Sequence, residues 1–140
     1  MAGVIKSVEQ NREKLKKGTV LFEEGEPGDA FYIVKTGRIG IYHHYQKEEE
    51  LEIAVIEPTQ VLGEVAAIDG KPRTATAVVL EDDTHVIQVE AKMIKNQLMQ
   101  CPQWLAAIVL DLVERLRRTD ELLIKAGGRS LISSSEKRES

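Results

Sequence analysis

The chain has 140 residues, 42% of them hydrophobic and 30% charged, with a net charge of −4 at neutral pH. That is the size and balance of one globular domain around a single core, and it excludes two full domains or a long disordered chain. The acidic balance argues against a general nucleic-acid surface, no apolar run approaches the ~20 residues of a membrane span, and the polar N-terminal stretch is no secretory leader, so a cytoplasmic protein is expected.

In chain order, residues 1–16 are polar with apolar Val4, Ile5, Val8 and Leu15, which predicts one or two short amphipathic helical turns lying on the domain. From Lys17 the pattern turns to strands. Residues 19–22 are β-prone, and 24–29 are rich in turn formers, with Gly25, Pro27 and Gly28. The apolar run 31–34 ends at a hairpin signal around Gly37 and is answered by 39–45. Across a charged tip at 46–49, Leu51, Ile53 and Val55 alternate with Glu52 and Ala54 as a half-buried strand ended by Pro58. Two more strands fall at 75–80 and 84–89, the second with His85, Ile87 and Val89 on one face. Short strands at this spacing predict a sandwich, barrel or roll.

Beyond Glu90 the pattern becomes helical: a short helix over 91–100 stops before Pro102, and a long one runs on to Ala126. On it Leu105, Val109, Leu112, Leu116, Thr119, Leu123 and Ala126 recur at spacings of four and three. Such a seam predicts a homodimer through this helix, although packing on its own β body would also make one face apolar. Residues 127–140, serine-rich and charged, are expected to be a disordered tail. Cys101 is the only cysteine, which excludes an intrachain disulfide or a cysteine metal site.

Residues 62–77 carry the clearest chemistry. Gly63 lets backbone approach a ligand, residues 64–68 can form one helical turn with unpaired N–H groups, and Arg73 can clamp a phosphate through two parallel donors with the Thr74 hydroxyl beside it. Glu64 would repel a phosphate, so its role here is to accept hydrogen bonds from sugar hydroxyls. Gly63, Glu64, Ala66, Pro72, Arg73, Ala75 and Thr76 resemble the phosphate-binding cassette of the cyclic nucleotide-binding domain family, Gly-Glu-x-Ala, a few residues, then Pro-Arg-small-Ala-Thr. Upstream, where that family usually shows Leu-Gly-Pro-Gly-Asp-x-Phe-Gly-Glu, residues 56–64 lack two turn glycines and an aromatic.

The resemblance implies an α+β, mainly β fold: an antiparallel, jelly-roll-like β-roll of about eight strands, over roughly 17–90, with a short N-terminal helix and two C-terminal helices over roughly 91–126. It implies a ligand, cAMP or cGMP, with Arg73, Thr74 and the backbone of Val65, Ala66 and Ala75 on the cyclic phosphate and Gly63 and Glu64 on the ribose. Thr119 matches a threonine that meets adenine in catabolite activator-type regulators. Asp120 departs from the serine beside it and is similar to the acidic residue with which cyclic-GMP-gated channels address guanine, so the purine stays open. The expected function is a stand-alone sensor, not an enzyme, that repositions its last helix for an unidentified effector protein.

The alternative is a ligand-free dimerisation or scaffold module with the same fold. The stretch after Gly128 is too short and polar for a helix-turn-helix, so no direct DNA binding is expected. A metal is not expected either, because His43 and His44, as neighbours on a strand, should point to opposite faces. No Ser/His/Asp or Cys/His arrangement suggests catalysis.

Overall fold

The structure, a computed structural model, describes residues 9–126. A 3-10 turn at Glu9–Asn11 leads into β1 (Arg12–Leu15), β2 (Val20–Phe22), β3 (Ala30–Thr36), β4 (Ile39–His43), β5 (Leu51–Ile56), β6 (Val61–Leu62), α1 (Glu64–Asp69), β7 (Thr76–Val79), β8 (Thr84–Glu90), α2 (Ala91–Gln100) and α3 (Gln103–Lys125). The strands form two four-stranded antiparallel sheets, ordered β1-β8-β3-β6 and β2-β7-β4-β5. This is the β-roll with a long last helix that the sequence implies.

The core lies between the sheets. Val34, Ile39, Val79 and Val86 are fully or almost fully buried there, with Phe22, Tyr32, Leu62 and Ala77 around them. Each such aliphatic side chain stabilises the fold by about 1.5–3 kcal/mol relative to exposure. β8 is apolar on both faces for a structural reason: Val86 points into the roll, while Ile87 and Val89 pack with Phe31, Ile33 and Met93 of α2. The helix thus covers a second apolar face that strict alternation alone would have left to solvent.

Two elements differ from expectation. Residues 12–15 are a strand paired with β8, Arg12 opposite Ile87 and Leu15 opposite Thr84, so the roll begins before Lys17 and the helical reading of 1–16 fails over that stretch. Pairing with a sheet edge outweighs a weak helical pattern in four mostly charged residues. The rest of that reading, and the tail at 127–140, lie outside the described residues. The second difference is β6, two residues paired with Tyr32 and Ile33 that the strand pattern does not single out. Its entering turn survives without the family's glycine: Thr59 adopts φ +76°, held by Thr59 N–H donating to the Val34 carbonyl at 2.8 Å and Gln60 N–H donating to the Glu57 carbonyl at 3.0 Å. No described helix is long and apolar enough to cross a membrane.

Candidate functional site

A cavity of about 250 Å³ opens between β4 and β5, the segment from β6 through α1 to Ala75, and the middle of α3. Its wall is mostly apolar, with Ile41, Ile53, Ile56 and Leu116; its polar groups are Glu64, Arg73, Thr74, Arg117 and Asp120.

The arginine end is built by mutual pinning of two loops. Gly25 N–H donates to the Arg73 carbonyl at 2.8 Å, and Arg73 N–H donates to the Glu26 carbonyl at 2.9 Å. The Arg73 side chain, only 4% exposed, turns back under α1, donating from Nη1 to the Gly63 carbonyl at 3.0 Å and from Nη2 to the Ala30 carbonyl at 2.6 Å. Its guanidinium lies 4.0 Å over the Phe22 ring, a cation–π contact that helps hold a charge out of water. Nε is buried and finds no hydrogen-bond partner among the described residues. Gly63 is required twice over: its φ is +78°, and a Cβ there would stand 2.7 Å from Arg73 Nη1. As N-cap of α1 it brings no side chain to cover the first-turn N–H groups. Gly28 lets the preceding loop press on α1, where a Cβ would meet the Ala66 Cβ at 2.3 Å.

Charge at the site is unevenly settled. Burial raises the Glu64 carboxyl above its ordinary range, assisted by nearby Asp120 and opposed by a backbone hydrogen bond and Arg73. Burial likewise raises Asp120, with Arg117 pulling the other way. Two half-buried carboxyls therefore face one cavity, both biased toward the neutral form. Arg73 is lowered by burial, against the pull of nearby acids that include Asp29, Glu26 and Glu64. Asp69 behaves oppositely to Glu64: burial alone would raise it, but hydrogen bonds from Arg117 and the Lys71 N–H hold it below its usual range. That bridge is bidentate, Arg117 Nε to Oδ2 at 2.5 Å and Nη2 to Oδ1 at 2.9 Å, while Nη1 donates to the Pro72 carbonyl at 3.1 Å. Arg117 thereby ties α3 to α1 and to the residue before Arg73.

The family model described as cyclic nucleotide-binding domain matches residues 12–101, more than half of the chain. The chain belongs to that family. Members similar to it include the CRP-like cAMP-activated global transcriptional regulator of Mycobacterium tuberculosis, 27% identical over 107 residues that make up 76% of this chain and 47% of that protein. A cAMP-dependent protein kinase regulatory subunit of Aspergillus fumigatus is 35% identical over 69 residues, 49% of this chain and 16% of that one. Among solved structures, the cAMP-bound form of an EAL enzyme superposes with a TM-score of 0.69 at 28% identity, covering 82% of this chain and 30% of that one. Its cGMP-bound form gives 0.68 at 29% identity, covering 77% and 28%. The chain spans about half the length of the first curated relatives it matches.

Within this family fold, Gly63, Glu64, Val65, Ala66, Arg73, Thr74, Ala75 and Asp120 are brought to one cavity. Thr119 is not: it is exposed, and its hydroxyl donates to the Arg115 carbonyl one turn back at 2.9 Å. Sequence reasoning missed Arg117 and its partner Asp69. The signal was a charged residue on the stripe of Val109, Val113 and Asp120, the side of α3 turned to the roll. The expectation for the histidines also fails. β4 ends at His43, and His44 takes φ +54°, which turns both rings to one side with centroids 3.8 Å apart. Alternation holds only while both residues keep extended backbone.

Proposed function

We propose that this chain is a regulatory domain that reversibly binds a cyclic purine nucleotide in the cavity at Arg73, with no reaction of its own. The observation that carries the reading is the buried Arg73, pre-positioned on two carbonyls and a ring with its Nε–H still unpaired, beside a helix start that has no side-chain cap. An anionic phosphate would supply the missing acceptor once the side chain turns from the Gly63 and Ala30 carbonyls toward the cavity that Arg73 already lines. Thr74 and the backbone of Val65, Ala66 and Ala75 would complete the phosphate contacts. Glu64 and the Gly63 backbone would take the ribose hydroxyls. The base would lie along Ile41, Ile53 and Leu116, with Asp120 at its polar edge. Thr119 would touch the base only if the helix turned.

Ligand-bound relatives support a nucleotide of either purine, cAMP or cGMP. Because α3 contributes Leu116, Arg117 and Asp120 to the cavity, ligand occupancy would change how that helix sits, and a partner protein would read the change. The outward side of α3 exposes Leu105, Ile108 and Leu112, which fits pairing with a second copy; sedimentation should give the mass of two chains, and a monomer at all concentrations would reject the pairing.

Titration with cAMP and with cGMP tests the central reading. Binding of at least one should raise the melting temperature, and Arg73→Ala should weaken it by at least about tenfold, that is by roughly 2–4 kcal/mol. Silence toward both at millimolar ligand would instead favour the ligand-free scaffold. Asp120→Ala distinguishes the purines: if Asp120 accepts from guanine N1–H and N2–H₂, the substitution weakens cGMP alone, and equal losses for both ligands reject that role.

A further inference from the structure

Outside the cavity, the described residues bring one group of metal-ligating side chains together. Glu24, from the loop after β2, meets His43 and His44 at the end of β4, and one donor atom from each lies within 4.8 Å of the others. His43 Nδ1 stands 3.2 Å from Glu24 Oε1, yet it is buried and makes no hydrogen bond of acceptable geometry among the described residues. The same Glu24 oxygen accepts from the His44 backbone N–H at 3.1 Å, and the Glu24 backbone N–H donates to Thr76 Oγ1 at 3.0 Å, so the residue is anchored at its backbone and by one carboxylate oxygen. The Glu49 carboxylate lies 3.9 Å from His44 Nδ1 on the neighbouring loop.

We infer that Glu24, His43 and His44 form a binding site for a late first-row divalent metal ion, zinc foremost. Two imidazoles and one carboxylate are the donor set such ions favour, with a fourth position left for water. Metal bonds of about 2.0–2.2 Å put ligand atoms of a tetrahedral site about 3.3 Å apart, so the cluster must close by roughly 1.5 Å. That is within reach of side-chain rotation at His44 and Glu24, whose side chains are 37% and 32% exposed, while the more buried His43 stays in place. A plain ion pair would leave His43 Nδ1 unsatisfied and the two tilted rings in contact without a bond between them; a metal satisfies all three donors at once. The ion would staple the loop that pins the Arg73 backbone to the β4–β5 hairpin that walls the cavity.

The test uses the chain without a histidine tag. Equilibrium dialysis with zinc chloride should give one bound equivalent, cobalt substitution should give the visible absorption of a tetrahedral site, and zinc should raise the melting temperature. His43→Gln and His44→Gln should each weaken binding by at least about tenfold, as should Glu24→Gln, which keeps an oxygen for the His44 N–H and so serves as the variant least apt to disturb the fold. His85→Gln and Cys101→Ser should bind as the wild type does. Absence of a stoichiometric equivalent, survival of binding in both histidine variants, or its loss in His85→Gln or Cys101→Ser would overturn the assignment.

Discussion

At one end of the cavity Arg73 is buried against two carbonyls and a phenylalanine ring, on a loop that is itself hydrogen-bonded to a second loop. At the other end Leu116 and Asp120 project from a helix whose far side carries exposed Leu122. The first end is settled before any ligand arrives. The second depends on how α3 docks, and among the described hydrogen bonds that tie it to the roll, those of Arg117 to Asp69 and Pro72 stand out. A braced arginine end and an adjustable closing helix would suit the proposed sensor, because affinity could come from the first and the conformational response from the second.

The largest expected way to break this contrast is Gly63→Ala. A left-handed backbone and a 2.7 Å approach to Arg73 Nη1 should cost about 2 kcal/mol or more in a denaturant melt and displace the guanidinium. Unchanged stability would show that the arginine end is not rigid. Next, Asp69→Asn should free the helix end at a cost of about 2 kcal/mol, read as faster hydrogen exchange in α3 with the cassette still protected. Because the Asp69 carboxyl is lowered in the folded chain, its contribution is present above the ordinary carboxylate range and lost as pH falls through the folded value. The wild type should therefore lose helix protection in acid, and the variant should lack that slope.

Glu64 and Asp120 carry the opposite sign. Their carboxyls are raised, so the stability they lend is complete below the ordinary carboxylate range and is lost as pH rises toward the folded values. Glu64→Gln and Asp120→Asn should raise the melting temperature of the ligand-free chain at neutral pH, and the gain should vanish in acid; a gain that is flat with pH would place its origin elsewhere. The smallest effect is expected at Thr59, whose left-handed backbone suits glycine. Thr59→Gly should stabilise by about 1 kcal/mol without changing ligand affinity, in calorimetry and titration respectively.

Much of the arginine end was legible in the sequence because its residues are close along the chain. Gly63, Glu64, Arg73 and Thr74 fall within one short segment, and local turn chemistry makes that segment recognisable without knowing what surrounds it. The roll was legible too, since Ile39, Val79 and Val86 sit in runs whose period and turn punctuation mark strands. Thr119 shows where this stops. It lies beside Asp120 in sequence, but a helix turns neighbours about 100° apart, so one faces the cavity while the other bonds to its own backbone in solvent.

By itself, then, the sequence determined the family, the roll and the local turn that carries Gly63 and Arg73, all of which depend on short-range pattern. Tertiary structure alone decided that Arg73 is braced by Ala30 and Phe22, that Arg117 latches α3 onto Asp69, and that the left-handed turn at His44 brings two histidines and Glu24 together. Each of these joins residues far apart in the chain or hangs on one backbone angle. Neither composition nor periodicity carries that information, because both describe which face a residue occupies and not what stands opposite it.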